Sequence, residues 1–449
     1  MAVTALSWCQ QNEEGTRETP AHKHETQNQS MSTMGQEQQK KPLNKAAMQH
    51  HDMQPPQTFI QFITRHSTSG TSAEPVSTPA SMLMDMHGNW MFMFHGEAFV
   101  NDIQQSGRRG ADKFFSTNWF MPRAQWHKGS NTITFRTMLS LEPATVTKQR
   151  YPELFQEGET AYGRPIVDGQ HPHDFFMEVA ALYDRQIGDN ALLSFYAAPV
   201  GDPAMGPTAY PHRASASENP LAALGHHLED STHISDDVIT AGFTYRTVRV
   251  EASGFHGREP DEFRWNIDTG KIDSWSTRLT INPGRNWSGQ YSFANLTSPE
   301  ALHPEEDVQR MTASIMYNRP LARGNWATSL IWGRNRDLGD GQVFNGYLAE
   351  STLRFFDRNY VWGRIENVDR TNELALGERP EPTGFSERFL ARVQAYTLGY
   401  DREVKTVPHL STAIGGQVTL YSAPNSLNPI YGTHPVGVVA FVRFRPTSK

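Results

Sequence analysis

Residues 90–100 read WMFMFHGEAFV, and the alternation in this stretch decides the fold. In an extended strand, successive side chains point to opposite faces. Trp90, Phe92, Phe94, Ala98 and Val100 then make one apolar face, while Met91, Met93, His95 and Glu97 share the other. Two architectures use such a strand. A soluble sandwich turns the apolar face to a core, and a membrane barrel turns it to lipid and lines a lumen with the opposite face.

The rest of the chain favours the barrel. Alternating segments recur near 85–105, 114–127, 131–145, 174–186, 190–201, 237–246, 248–258, 273–282, 286–297, 308–319, 324–335, 342–356, 359–370, 388–401, 407–422 and 434–445. Most approach the roughly 9–11 residues of a tilted membrane-spanning strand. The connections alternate strictly. Short ones such as HKGSN (127–131), IGDN (187–190) and NPGRN (282–286) alternate with longer ones such as 146–173, 202–236 and 371–387. Tight turns at one rim and long loops at the other characterise outer-membrane barrels, and an even strand number puts both chain ends on the periplasmic side. Trp90, Trp126, Trp287, Trp326 and Tyr360 fall near strand ends, where aromatic girdles belong. No blade-length repeat points to a propeller. The expected fold is all-β: a transmembrane up-and-down antiparallel β-barrel of about sixteen strands over 81–449.

Composition agrees. The 449 residues carry a net charge of −7, and mean hydropathy is −0.59. No apolar run approaches the roughly 18–20 residues of a membrane helix. Mild acidity with scattered arginine argues against nucleic acid. The single cysteine, Cys9, excludes an intramolecular disulfide and a thiolate cluster. Residues 1–9 read as the end of an export signal, with Cys9 as a lipid-attachment alternative. The wider segment 1–80 is rich in Gln, Glu, Ser, Thr, His and Pro and is expected to be disordered.

Candidate chemistry is concentrated in histidine and methionine. YGRPIVDGQHPHDFF brings His171, His173 and Asp174 to one long loop, and PHR with GHHLEDSTHIS brings His212, His226, His227, Glu229, Asp230 and His233 to the next. Imidazole and carboxylate suit Zn(II), Cu(II) or Ni(II). The competing reading is that these histidines bond to loop backbone and shape a constriction. Met91 and Met93 with His95, together with Met121 and Met138, present thioethers to the lumen, where they suit Cu(I) or simply fill space. Glu97, Arg136, Met138, Glu142, Arg249, Glu251, Arg278 and Arg354 are expected to line the pore. Opposed charges there either set a transverse field or pair to stiffen the wall. DSTHIS offers Ser231, His233 and Ser235, but nothing orients a base or supplies oxyanion donors, so the chain reads as a non-enzyme.

HKHETQNQSMSTM, MQHHDM and MLMDMH resemble the Met/His-rich N-terminal segment of the copper-resistance outer-membrane protein B family. That resemblance implies copper handling at the outer membrane. Over about 82–449 the chain resembles bacterial outer-membrane porin-like barrels, which implies a Gram-negative outer-membrane location. The combined expectation is a pore for small polar solutes or metal ions, with Cu or Zn ions held by the Met/His clusters and no other cofactor. Outer-membrane lipid and the passing solute or ion are the expected partners, with a homo-oligomer left open. The alternatives are a general diffusion porin with structural histidines and a non-transporting structural or adhesin barrel.

Overall fold

The computed structural model describes residues 55–65, 68–377 and 379–448. The export-signal reading, Cys9 and the Met/His motifs at 22–34 and 48–53 lie outside the described residues.

Sixteen antiparallel strands close into a barrel. They are β1 Trp90–Gln105, β2 Asp112–Lys128, β3 Asn131–Leu139, β4 Phe176–Ile187, β5 Ala191–Gly201, β6 Ser235–Tyr245, β7 Val248–His256 and β8 Ser274–Gly284. The second half comprises β9 Trp287–Leu296, β10 Val308–Leu321, β11 Gly324–Asp337, β12 Val343–Phe355, β13 Asn359–Thr371, β14 Phe389–Val407, β15 Leu410–Ser422 and β16 Val436–Pro446. Every strand pairs with its sequence neighbours, and β16 returns to β1 with Ala98 opposite Phe444 and Gln105 opposite Gly437. Closure leaves no open edge, as a wall standing in lipid requires. A short leading strand, Leu83–His87, forms a hairpin on the first residues of β1.

The long–short rule is obeyed. Connections such as 129–130, 246–247 and 322–323 are two residues long, and Gly129 supplies the positive φ of 61° that such a turn demands. The segment expected at 131–145 divides at residue 139. Pro143 cannot donate to a sheet ladder, and Glu142–Thr145 forms a helical turn instead.

Side-chain alternation gives the wall two chemistries. Phe92, Phe135, Phe195, Val250, Leu330 and Ile365 are exposed outside. Arg136, Glu178, Arg249, Glu251, Arg278 and Glu350 are buried inside. Trp287 and Trp326 stand on the outer wall as a girdle requires. Tyr360 departs from that expectation: strand parity turns it inward, where its hydroxyl donates to Glu403 Oε1 at 3.0 Å.

The lumen is packed with the chain's own segments. Residues 57–65 and 68–79, expected to be disordered, enter from the short-turn rim. The helix α1 Phe59–Arg65 buries Phe59, Ile60, Phe62 and Ile63 against Ala73, Val76 and Leu192. Beyond it, Arg136 donates to the carbonyls of Thr68 and Gly70 at 2.6 Å each, Arg278 donates to Thr71 Oγ1 at 2.8 Å, and Ser288 donates to Ala73 O at 3.0 Å. Composition missed this because the apolar run Phe59–Ile63 is a small part of a polar segment, and the rest is satisfied by inward polar groups of the wall. From the opposite rim, the loop 202–234 crosses the lumen. Gly206 N donates to Ser292 Oγ at 2.9 Å, Arg213 Nε pairs with Glu350 at 2.5 Å, and Leu221 and Ala222 carbonyls accept from Arg364 at 3.1 and 2.9 Å. At Gly333 the loop lies so close that any Cβ would collide with Leu228 O. Leu154, Phe155 and Val167 of the preceding loop pack on inward Val393 and Ala395, forming an apolar core within the barrel.

Candidate metal pathway in the barrel lumen

The two long loops deliver their histidines to the lumen as a file. Ring centroids are 5.8 Å apart for His171 and His227, 5.1 Å for His227 and His226, 5.2 Å for His226 and His233, and 5.4 Å for His233 and His173. His226 and His227 sit on the single turn His226–Glu229, and His233 on the following turn Ser231–His233. Their partners fix their tautomers. His233 Nδ1 donates to Asp230 O at 2.7 Å, and its Nε2 has no hydrogen-bond partner among the described residues. His226 Nδ1 meets Asp230 Oδ1 at 2.5 Å, while Arg213 Nη1 holds the other oxygen of that carboxylate at 2.8 Å. His173 Nδ1 lies 3.1 Å from Glu142, and Tyr210 OH is 3.3 Å from its Nε2. A carboxylate or carbonyl behind an imidazole is the usual second shell of a metal-binding histidine.

The electrostatics separate the members of the file. Burial and the adjacent His226 push His233 down to about 3. Burial also holds His227 well below the ordinary imidazole value, and it outweighs Asp230 at His226. These three are neutral at physiological pH, the form that ligates metals. At His173 the balance reverses: burial lowers it, but Glu142 outweighs burial and raises it. Beside His171 and His227 stands Glu159, and the ligand atoms of these three residues lie within 4.8 Å of one another.

His212 departs from the expected outer cluster. Its loop carries it across to β1–β3, where its Nε2 lies 3.1 Å from Met138 Sδ and its ring 5.9 Å from that of His95. His95 Nε2 in turn lies 2.9 Å from Met121 Sδ, its cross-strand neighbour. Trp119 lies against both rings, edge-on to His95 at 5.1 Å and tilted to His212 at 4.3 Å between ring centroids. The inner group is therefore His95, His212, Met121 and Met138. Met91 and Met93, expected beside His95, instead pack with Met82, and Arg123 points a guanidinium at Met93 Sδ. A fixed cation against those thioethers opposes a metal cation there.

The other expected residues are distributed as follows. Asp174 pairs with Arg264 at 3.3 Å rather than facing the histidines. Glu229 is buried near Gly225 and Gly346, and neither carboxylate oxygen has a hydrogen-bond partner among the described residues. Of the expected pore-lining charges, Arg136 pairs with Glu178 at 2.6 Å, Glu251 bridges Arg249 and Arg278 at 3.0 and 3.1 Å, and Glu97 meets Arg445. These pairs lie inside the wall as cross-links. Glu142 is a correction: its helical turn removes it from the strand, and it accepts from Asn118 N and His173 N instead. Arg354 sits at the short-turn rim, donating to Asp357 O at 2.6 Å. There it lines a lumenal vestibule that also includes Glu97, Glu218, His95 and His212. Sequence reasoning missed Glu159, Tyr210 and Arg213. Only the YGRP and PHR contexts lay near them, and their roles depend on how the loops fold.

No protein-family model matches the chain, and no curated protein is significantly similar in sequence. Solved structures do resemble it. The anion-selective porin from Comamonas acidovorans aligns over 79% of this chain and 99% of that chain, at 10% identity and a TM-score of 0.50. The fold is a porin fold. Salmonella typhi OmpF in complex with daunomycin aligns at 8% identity and a TM-score of 0.47, over 81% of this chain and 100% of that chain. A trimer form of OmpT from Vibrio cholerae aligns at 7% identity and a TM-score of 0.43, over 79% of this chain and 99% of that chain. The copper-resistance resemblance of the N-terminal segment has no counterpart among these matches.

Proposed function

We propose that the protein is an outer-membrane barrel through which a transition-metal cation of the copper or zinc kind passes along lumenal histidines. The observation that carries this reading is the file of five imidazoles from His171 to His173 in ring contacts of 5.1–5.8 Å, followed by His212 and His95 beside two thioethers. The neutral imidazoles of His227, His226 and His233 let a cation exchange ligands stepwise, with no single site deep enough to trap it. Glu159 stands beside His171 and His227 as a carboxylate ligand at the outer end of the file. The thioethers of Met121 and Met138 favour cuprous over zinc ions at the inner station.

The porin fold and the exposed apolar wall support placement in the bacterial outer membrane, and lipid is the partner of that wall. The trimeric form known for one structural neighbour makes a homo-oligomer a natural assembly to test. A second reading, a structural barrel that transports nothing, is favoured by the packing of 57–65, 68–79 and 202–234 within the lumen. Influx of Cu(I) or Zn(II) into proteoliposomes separates the two. Influx that is lost in His226→Ala/His233→Ala supports passage along the file. No influx in the parent protein selects the structural barrel.

A further inference from the structure

A second set of ligating side chains, unsuspected from the sequence, lies at the outer mouth in a cavity that also borders His227. Glu300 and His303 stand on the loop 297–307, and Glu387 stands at the end of the loop 372–388. Their ligand atoms all lie within 4.8 Å of one another. Ligands each about 2.1 Å from a tetrahedral zinc ion are roughly 3.4 Å apart, so small rotamer changes close the set.

Two independent observations point to a cation here. His303 is only 4% exposed, and its Nε2 has no hydrogen-bond partner among the described residues, although Glu381 Oε1 is 3.4 Å away. The cavity of about 80 Å³ at this mouth is lined by Glu157, Glu259, Glu300, Glu306, Asp337, Asp369, Glu373 and Glu387, with Arg310 and Arg370 as its guanidinium groups and His227 at its inner side. A buried excess of carboxylates is relieved by protons or by a bound cation, and a divalent ion displaces those protons when it binds.

We propose that Glu300, His303 and Glu387 bind a divalent cation of the zinc type, which clasps the loops 297–307 and 372–388 together over the mouth of the barrel. Two carboxylates and one imidazole suit zinc better than calcium, which prefers oxygen ligands alone. The inference does not rest on passage along the histidine file, since neither loop contributes to it.

The test uses the detergent-purified full chain and ZnCl₂. Calorimetry gives the zinc stoichiometry, and anomalous diffraction at the zinc edge locates each ion. Tryptic cleavage after Arg379 reports closure of the longer loop. The proposal expects an anomalous peak among the three residues, loss of one zinc equivalent in His303→Ala, and at least tenfold weaker binding at this site in the nearly isosteric Glu387→Gln. Zinc should also slow cleavage after Arg379 at least tenfold in the parent and not in either variant. Retention of this peak in His226→Ala/His233→Ala would show that the clasp stands even if the pathway fails. No peak at these residues, or unchanged stoichiometry in both variants with intact barrels, overturns it.

Discussion

One buried pair, Arg136 with Glu178, clamps the N-terminal segment at Thr68 and Gly70, and releasing it is the sharpest test of the occluded barrel. Arg136 is fully buried, binds Glu178 at 2.6 and 2.7 Å, and donates to the carbonyls of Thr68 and Gly70 at 2.6 Å. Glu178 completes the clamp by accepting from Gly70 N at 2.9 Å. Replacing only Arg136 would strand a buried carboxylate and threaten the barrel itself, at a cost of about 3–5 kcal/mol. The double variant Arg136→Met/Glu178→Leu removes both charges at once and leaves an apolar wall. A hydrogen bond to a charged group contributes about 1.5–3 kcal/mol, so losing the two from Arg136 alone weakens docking by at least about 3 kcal/mol. That is more than a hundredfold in the docking equilibrium. Trypsin cleavage after Arg65 should accelerate at least tenfold, and single-channel conductance in planar bilayers should rise. Cleavage and conductance equal to the parent, in a variant that still runs as a heat-modifiable barrel, would refute the clamp.

Other expectations follow from the same geometry. Burial and the nearby Glu366 push Glu153 up to about 8, and burial pushes Glu157 up to about 7. A carboxyl raised in the folded state stabilises fully below its unfolded value near 4.5, and this is lost as pH rises through the folded value. Proteolysis of the loop 140–175 should therefore accelerate above pH 7, by at least about tenfold from pH 8 to 9, and Glu153→Gln/Glu157→Gln should flatten that profile. Leu330→Arg, on the exposed outer wall, should cost about 2–4 kcal/mol of folding into lipid, whereas Ser329→Ala, one residue along and facing inward, should cost less than 1; urea titration in vesicles separates them. Met121→Leu/Met138→Leu should weaken Cu(I) binding at least tenfold in competition with a colorimetric chelator while leaving Zn(II) binding nearly unchanged.

The barrel was legible because its signals are local. Alternation within WMFMFHGEAFV and the strict long–short order of connections depend only on neighbours in sequence. Closure then follows from parity. The site was legible only as an inventory. His226, His227 and His233 do meet, since one loop carries all three, but His212 from that loop reaches β1–β3 because 202–234 spans the lumen rather than folding on itself. Glu142 illustrates a second limit. Its place in the alternating run suggested a lumenal strand residue, yet the adjacent Pro143 ended the strand and made Glu142 the partner of His173. The burial of 59–65 and 68–77 was hidden for a third reason. Its anchors are wall residues such as Arg136, Arg278 and Ser288, far away in sequence, and polar composition reads the same whether the partner is water or the wall.

Metal influx into proteoliposomes, read by an enclosed Cu(I)- or Zn(II)-responsive dye, tests the central claim most directly. The account predicts saturable influx in the parent protein and at least a tenfold loss in His226→Ala/His233→Ala, with both proteins inserted and heat-modifiable to the same extent. Equal influx in parent and variant, or none in either, would contradict passage along the histidines.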